Sequence, residues 1–286
     1  EAGLFHRFDA TNILKKNLAS VICSCSIDHT DWLSKNEQTI EKIVFEKTSA
    51  LLNSNIIIAK QSTKHTMDCI KRTISQNESK KKFFNDDFTY SFDNNDFFFY
   101  EDELGKLKLP LPNVLGQFQL DNISVAIATL KSLNLSIKEE HIKKGITKIS
   151  NLARLQEIKS GKLKSLVKNN KLIVDGTHNE DGARVLNEYL KSLNCKKHVI
   201  ISMMANKEHE KYISYFKDVS SITTIDLKSQ PNSISGKDLK KKFKTMPNVQ
   251  YQPGIIEAIK SINLKEGDLL LITGSLYGAA EALSLN

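Results

Sequence analysis

Apolar residues recur along this chain in two ways, as short unbroken runs and as stretches with helical spacing. The runs SVICSCSI (20–27) and NIIIAK (55–60) predict buried strands. Between them NEQTIEKIVFEKTSALL (36–52) predicts a helix, with Ile40, Ile43, Val44 and Leu51 near helical spacing. From about Ile74 to Gly105 the chain turns polar and aromatic with Asn-Asp and Gly punctuation, the mark of antiparallel hairpins. Residues 110–135 add a Pro-rich turn, a Gly and a long amphipathic helix, and KEEHIKKGITKI (138–149) a further helix.

The pattern then restarts. KLKSLVKNNKLIVDGTHNEDGARVLNEYLKSL (162–193) reads as hairpin, strand, loop and helix. HVIISMMAN and SSITTIDL are strands, and GDLLLITGSLYGAAEAL is a strand running through Gly-Ser into a helix. Strands alternating with helices imply parallel sheets with right-handed crossovers. The fold class is therefore α/β, with a boundary near Ser150 separating a first α/β unit from a Rossmann-like second one.

At 286 residues the chain suffices for two domains and a sizeable core. No run of about 18 apolar residues and no basic-then-apolar leader is present, so the expectation is a cytoplasmic protein without a membrane partner. The net charge of +8 comes almost wholly from Lys spread among Asn without interleaved aromatics, a compositional bias rather than a nucleic-acid stripe. Only Arg7, Arg72, Arg154 and Arg184 carry guanidinium, which makes each worth explaining. Four scattered cysteines form no C-x-x-C pair and no disulfide framework; Cys23 and Cys25, alternating on a strand, would face the same side as small core residues.

Several side chains could carry chemistry. Glu1 and His29, which follows a strand in SIDHTDWL, form a carboxylate and imidazole pair able to hold a divalent ion, although a His after a strand also serves structure. Lys47 lies on the helix after that loop, as a solvated or a functional lysine. In VDGTHNEDGA, Asp175 ends a strand, Gly176 permits a turn, and His178, Asn179 and Asp181 open a helix, either to cap it or to meet a ribose or anion. Ser275 caps the last helix and presents its amides to any anion, and Arg154 stands at the boundary as a phosphate clamp or a structural ion pair.

Taken in order, EAGLFHRFDATN, SIDHTDWL, FEKTSALL, LPLPNVLGQFQLDNISVAIATL, ARLQ, VDGTHNEDGA and TGSLY resemble the motifs of the folylpolyglutamate synthase/dihydrofolate synthase family of the Mur ligase superfamily. The resemblance spans nearly the whole chain. It implies that residues 1–150 are the C-terminal part of a central ATP-binding Mur-ligase domain and residues 151–286 its Rossmann-like ligase domain. It implies an ATP-dependent amide ligase joining L-glutamate to a folate or dihydropteroate carboxylate, with Mg2+ as metal and a monomer when full length.

Residue by residue, the resemblance makes Glu1 and His29 magnesium ligands and Lys47 a carbamylated lysine. Phe8, Asp9 and Ala10 become the pteroate-binding stretch, and Asn122, Arg154 and Asp175 hold ATP across the domain interface. His178 and Ser275 would receive glutamate. The family's Gly-rich phosphate loop, G-x-x-G-K-S, is absent from these residues, so the sequence is expected to continue a segment lying ahead of Glu1. Without that segment the first unit's sheet should show an open edge and exposed apolar surface, and this chain alone should not turn over ATP; a catalytically inactive remnant is the alternative reading. Departures from the family pattern are Phe5-His6 in place of two glycines, Thr48-Ser49 in place of Ala-Gly, and NKEHE in place of a more acidic stretch.

Overall fold

The computed structural model describes all residues except 1–8, 15–16, 28–32, 49–50, 52–53, 94–95, 134, 244–245 and 247. It divides into two compact units, residues 1–113 with 117–149, and residues 114–116 with 150–286.

In the first unit β1 (Ala19–Ile22), β2 (Asn55–Ile58) and β3 (Lys81–Phe83) form a parallel sheet in that order. Central β2 is a run of isoleucines because both faces are covered. Ile56 and Ile58 pack with Val44 of helix α1 (Ile40–Thr48) and with Cys69 and Ile70 of helix α2 (Lys64–Thr73). Ile57, one residue out of phase, turns to Leu120, Ile123 and Ile127 of α3 (Phe118–Ser132). The amphipathic stripe expected for α3 is in fact broad, since Gln119, Leu120, Ile123, Ser124, Val125, Ile127 and Ala128 are all buried.

A separate antiparallel meander runs through β4 (Phe88–Asp93), β5 (Phe97–Asp102) and β6 (Gly105–Pro110), followed after α3 by α4 (Glu139–Ile146). Its buried Phe88, Phe98, Tyr100 and Leu109 join the cluster around Ile57. The hairpin reading of 74–105 therefore holds only from Phe88 on. Lys81–Phe83 pairs in parallel with β2, because the chain reaches the sheet through α2.

The strand expected over SVICSCSI stops at Ile22. The chain leaves the sheet there: the Cys25 amide donates to Gln61 Oε1 at 2.9 Å instead of continuing the ladder. Cys25 is buried but Cys23 is exposed, so the two do not share a core face. Around edge strand β1, Ile13, Leu14, Leu18, Val21 and Ile27 expose apolar surface.

Burial pushes the Cys25 thiol up to about 11, against a smaller opposing pull from the nearby Lys47 charge. The folded state keeps this proton more tightly than the unfolded chain, so the associated stability is complete below the ordinary thiol value of 9.0 and lost as pH rises towards 11. Between those values the wild type should lose about 2 kcal/mol more than Cys25→Ala, read from urea unfolding at each pH. Parallel curves would show that Cys25 makes no such contribution.

The second unit is a six-stranded sheet. Its strands are β7 (Gln156–Glu157), β8 (Lys171–Val174), β9 (Lys197–Ile201), β10 (Ser221–Ile225), β11 (Val249–Gln252) and β12 (Leu269–Thr273), in spatial order β11-β10-β9-β12-β8-β7. All pairs are parallel except β7 with β8. Helices α5 (Lys162–Val167), α9 (Ile255–Ser261) and α10 (Leu276–Leu285) build one face, where Leu163, Val167, Ile259 and Ala282 meet Val174, Ile200 and Ile272. Helices α6 (Glu180–Lys191), α7 (His209–Ile213) and α8 (Gly236–Lys242) pack against one another in series. The segment expected as a hairpin, KLKSLVKNN, forms α5 instead: Leu163 and Val167, four residues apart, both turn into the core.

No helix among the described residues is long and apolar enough to cross a membrane.

Candidate active site

The carboxyl ends of β8, β12 and β9 lie side by side in the second unit, where open α/β sheets bind ligands. β8 is wholly apolar after Lys171 because it is buried on both faces, and the first polar residue after it is Asp175. Asp175 still belongs to the ladder, its amide donating to Ile272 O at 2.9 Å. Its carboxylate, 1% exposed, accepts from Leu155 N at 2.7 Å and Thr177 N at 2.8 Å.

Those two bonds shape the loop that carries Arg154. Ala153 (φ 55°) and Leu155 (φ 48°) both take the left-handed conformation that side chains rarely adopt. Asp175 holds the Leu155 amide, Gly176 N donates to Ala153 O at 2.8 Å, and Gln156 Oε1 accepts from Ala153 N at 2.9 Å. Such strain persists only where surrounding bonds over-determine it, and it concentrates at functional positions. A Cβ on Gly176 would stand 3.2 Å from Arg154 Nη1 and 2.3 Å from Leu276 Cδ2, which places Arg154, Gly176 and Leu276 together beyond the carboxyl end of β8.

Arg154 differs from the other described arginines. Arg184 braces α6, donating to Asp181 Oδ1 and to Glu188 Oε1, the latter at 2.7 Å. Arg72 reaches Cys69 Sγ at 3.6 Å. Arg154 is half-buried and, among the described residues, its guanidinium donates only to Ala153 O, at 3.5 Å, and pairs with no carboxylate. A guanidinium held by strained backbone, without a counter-ion, suits an anionic ligand.

Beside it, Thr177 Oγ1, Tyr212 OH and Thr273 Oγ1 form a closed hydroxyl cluster, with Tyr212 to Thr273 at 2.9 Å. Burial raises the Tyr212 phenol and keeps it protonated and neutral. Asn179 Oδ1 caps α6 by accepting from Gly182 N at 2.9 Å, and Ser275 Oγ caps α10 by accepting from Tyr277 N at 3.1 Å. His178 shares a hydrogen bond between Nδ1 and Gly176 O at 2.9 Å, which turns the ring back over the loop. Ser202, following β9, has a buried hydroxyl without a partner.

The turn out of β12 depends on Gly274 (φ 98°), where a Cβ would meet Ser202 O at 2.5 Å. Gly274→Ala combines left-handed strain with a backbone clash and should cost about 2 kcal/mol in chemical unfolding. A change within a few tenths would show that the turn relaxes freely.

The structure thus brings Arg154, Asp175, His178 and Ser275 to one edge of the second unit. Asn122 is exposed on α3 of the first unit, and Lys47 is half-buried near the end of α1. Asp9 caps a short 3-10 turn, accepting from Thr11 N at 2.9 Å, and Ala10 is exposed. Glu1, Phe8 and His29 lie outside the described residues. Sequence reasoning missed Tyr212, Thr273, Thr177 and Ser202. Thr177 follows a predicted strand and Thr273 ends one, so both could have been found that way; Ser202 lies inside the strand predicted over HVIISMMAN, which in fact ends at Ile201, and Tyr212 sits on a short helix with no periodic signal.

The glutamate ligase domain of Mur ligases matches residues 161–276. The dihydrofolate synthase/folylpolyglutamate synthase of Bacillus subtilis is 24% identical over 97% of this chain and 64% of its own length. The protein of the same name from Escherichia coli is 27% identical over 77% of this chain and 48% of its own. The chain therefore spans between about half and two thirds of these relatives. In fold, it is similar to E. coli FolC in complex with DHPP and ADP (TM-score 0.84, 24% identity, covering 99% of this chain and 64% of that one). It is also similar to the Yersinia pestis bifunctional enzyme with Mn, AMPPNP and L-glutamate bound (TM-score 0.81, 22% identity, 99% and 65%). Residues 161–276 thus match the glutamate ligase domain of Mur ligases, and along nearly its whole length the chain is similar to dihydrofolate synthase/folylpolyglutamate synthases.

Proposed function

We propose that the protein carrying this chain is an ATP-dependent ligase that adds L-glutamate to the carboxylate of a folate or dihydropteroate. Residues 1–150 serve as part of its ATP-binding domain and residues 151–286 as its ligase domain. The observation that carries this reading is Arg154: a guanidinium with no carboxylate partner among the described residues, on a strained loop that Asp175 fixes, in a chain whose relatives bear that activity as their name.

In this reaction a substrate carboxylate oxygen attacks the γ-phosphorus of ATP, and ADP departs. The glutamate amine then attacks the acyl carbon, loses a proton, and phosphate leaves with the acyl oxygen. A divalent ion, Mg2+ by this reading, offsets charge on the transferred phosphoryl group. Glu1 and His29 are its proposed ligands. Lys47 joins that charge arrangement in carbamylated form, and Phe8, Asp9 and Ala10 face the pterin. Asn122, Arg154 and Asp175 hold the nucleotide, the last through the loop it fixes. His178 and Ser275 meet the incoming glutamate. The bulky Phe5-His6 and Thr48-Ser49 pairs favour the second reading, a relative that folds without catalysis.

The test uses protein purified from its native cell, supplied with ATP, Mg2+, labelled glutamate and either dihydropteroate or tetrahydrofolate. Glutamate incorporated with one ADP per amide supports the ligase. Folded protein that releases no ADP and forms no product supports the non-catalytic reading.

A further inference from the structure

We propose that Glu41, His65 and Cys69 form a binding site for a zinc-type divalent ion, built between α1 and α2 from residues that the ligase reading does not use. Helix α2 places His65 and Cys69 four residues apart, one turn above the other on a single face. Helix α1 packs against it and brings Glu41 from its first turn.

The three donor atoms already converge, all within 4.8 Å of one another. Cys69 Sγ lies 3.7 Å from His65 Nε2. Zn–S of about 2.3 Å and Zn–N of about 2.1 Å at a tetrahedral angle require a separation of about 3.6 Å. His65 Nε2 and Glu41 Oε1 stand closer, at 2.6 Å, because without an ion they share a hydrogen bond. An ion taking up that proton's place would part them by less than an ångström. Binding releases the thiol proton and frees an imidazole lone pair for the metal.

The donor set selects the ion. A thiolate with an imidazole and one carboxylate suits zinc or cobalt and disfavours magnesium and calcium, which take oxygen shells. Cys69, 3% exposed, anchors the inner side, whereas the side chains of His65 and Glu41 are 59% and 53% exposed. The outer position stays open to water, as in sites that exchange a ligand. Arg72 Nη2 donates to the sulfur at 3.6 Å and so competes with the ion for it. The affinity should accordingly fall below that of a closed four-ligand site.

The test is titration of the metal-free full chain with cobalt, then zinc. One equivalent of cobalt should give a thiolate-to-cobalt charge-transfer band that zinc abolishes. Cys69→Ser should lose the band, and His65→Ala and Glu41→Gln, both at exposed positions, should each weaken binding about tenfold or more. Cys195→Ser should leave it unchanged. No band and no retained zinc at micromolar metal, or binding that His65→Ala does not weaken, would overturn the site.

Discussion

Asp175→Ala is expected to lower the unfolding free energy by about 3–5 kcal/mol, because a buried carboxylate that accepts two backbone amides disappears and both amides are left without a partner. Each abandoned donor costs about 1–3 kcal/mol. The left-handed conformation of Leu155 then loses the bond that holds it, and the Arg154 loop relaxes. Asp175→Asn, which keeps one acceptor oxygen, should cost less than the alanine variant. Urea unfolding of the three proteins decides the matter, and a loss below about 1 kcal/mol for the alanine variant would show that Asp175 does not fix this loop.

Arg154→Ala is expected to lower kcat/KM for glutamate ligation about 100-fold while leaving the unfolding midpoint close to that of the wild type, since no carboxylate among the described residues relies on it. Arg154→Lys should recover little, because a point charge does not reproduce a planar fork on an anion. Wild-type activity in both variants would remove Arg154 from the site.

The two largest effects thus fall on one loop, and its residue types were legible while its geometry was not. Arg154 stood out because the chain uses Arg so seldom, and Asp175 because it follows the apolar run Leu172–Val174. Nothing in ARLQ signals that Ala153 and Leu155 would take positive φ, since neither residue favours it. That conformation is imposed by the neighbouring strand end. The same division holds for the fold. β2, β8, β9 and β12 were readable from continuous apolar runs, because strands covered on both faces can afford nothing else. Helix α2 went unread: KHTMDCIKRT has only Met67, Cys69 and Ile70 as apolar markers, and its stability comes from Thr63 capping Thr66 N and from packing on β2.

Positional isotope transfer tests the central claim most directly. The substrate carboxylate is labelled with heavy oxygen and supplied with ATP and glutamate to the native protein. The ligase account predicts that each amide formed sends one labelled oxygen into the released phosphate. Amide formation that leaves the phosphate unlabelled, or folded protein that forms no amide at all, would contradict it.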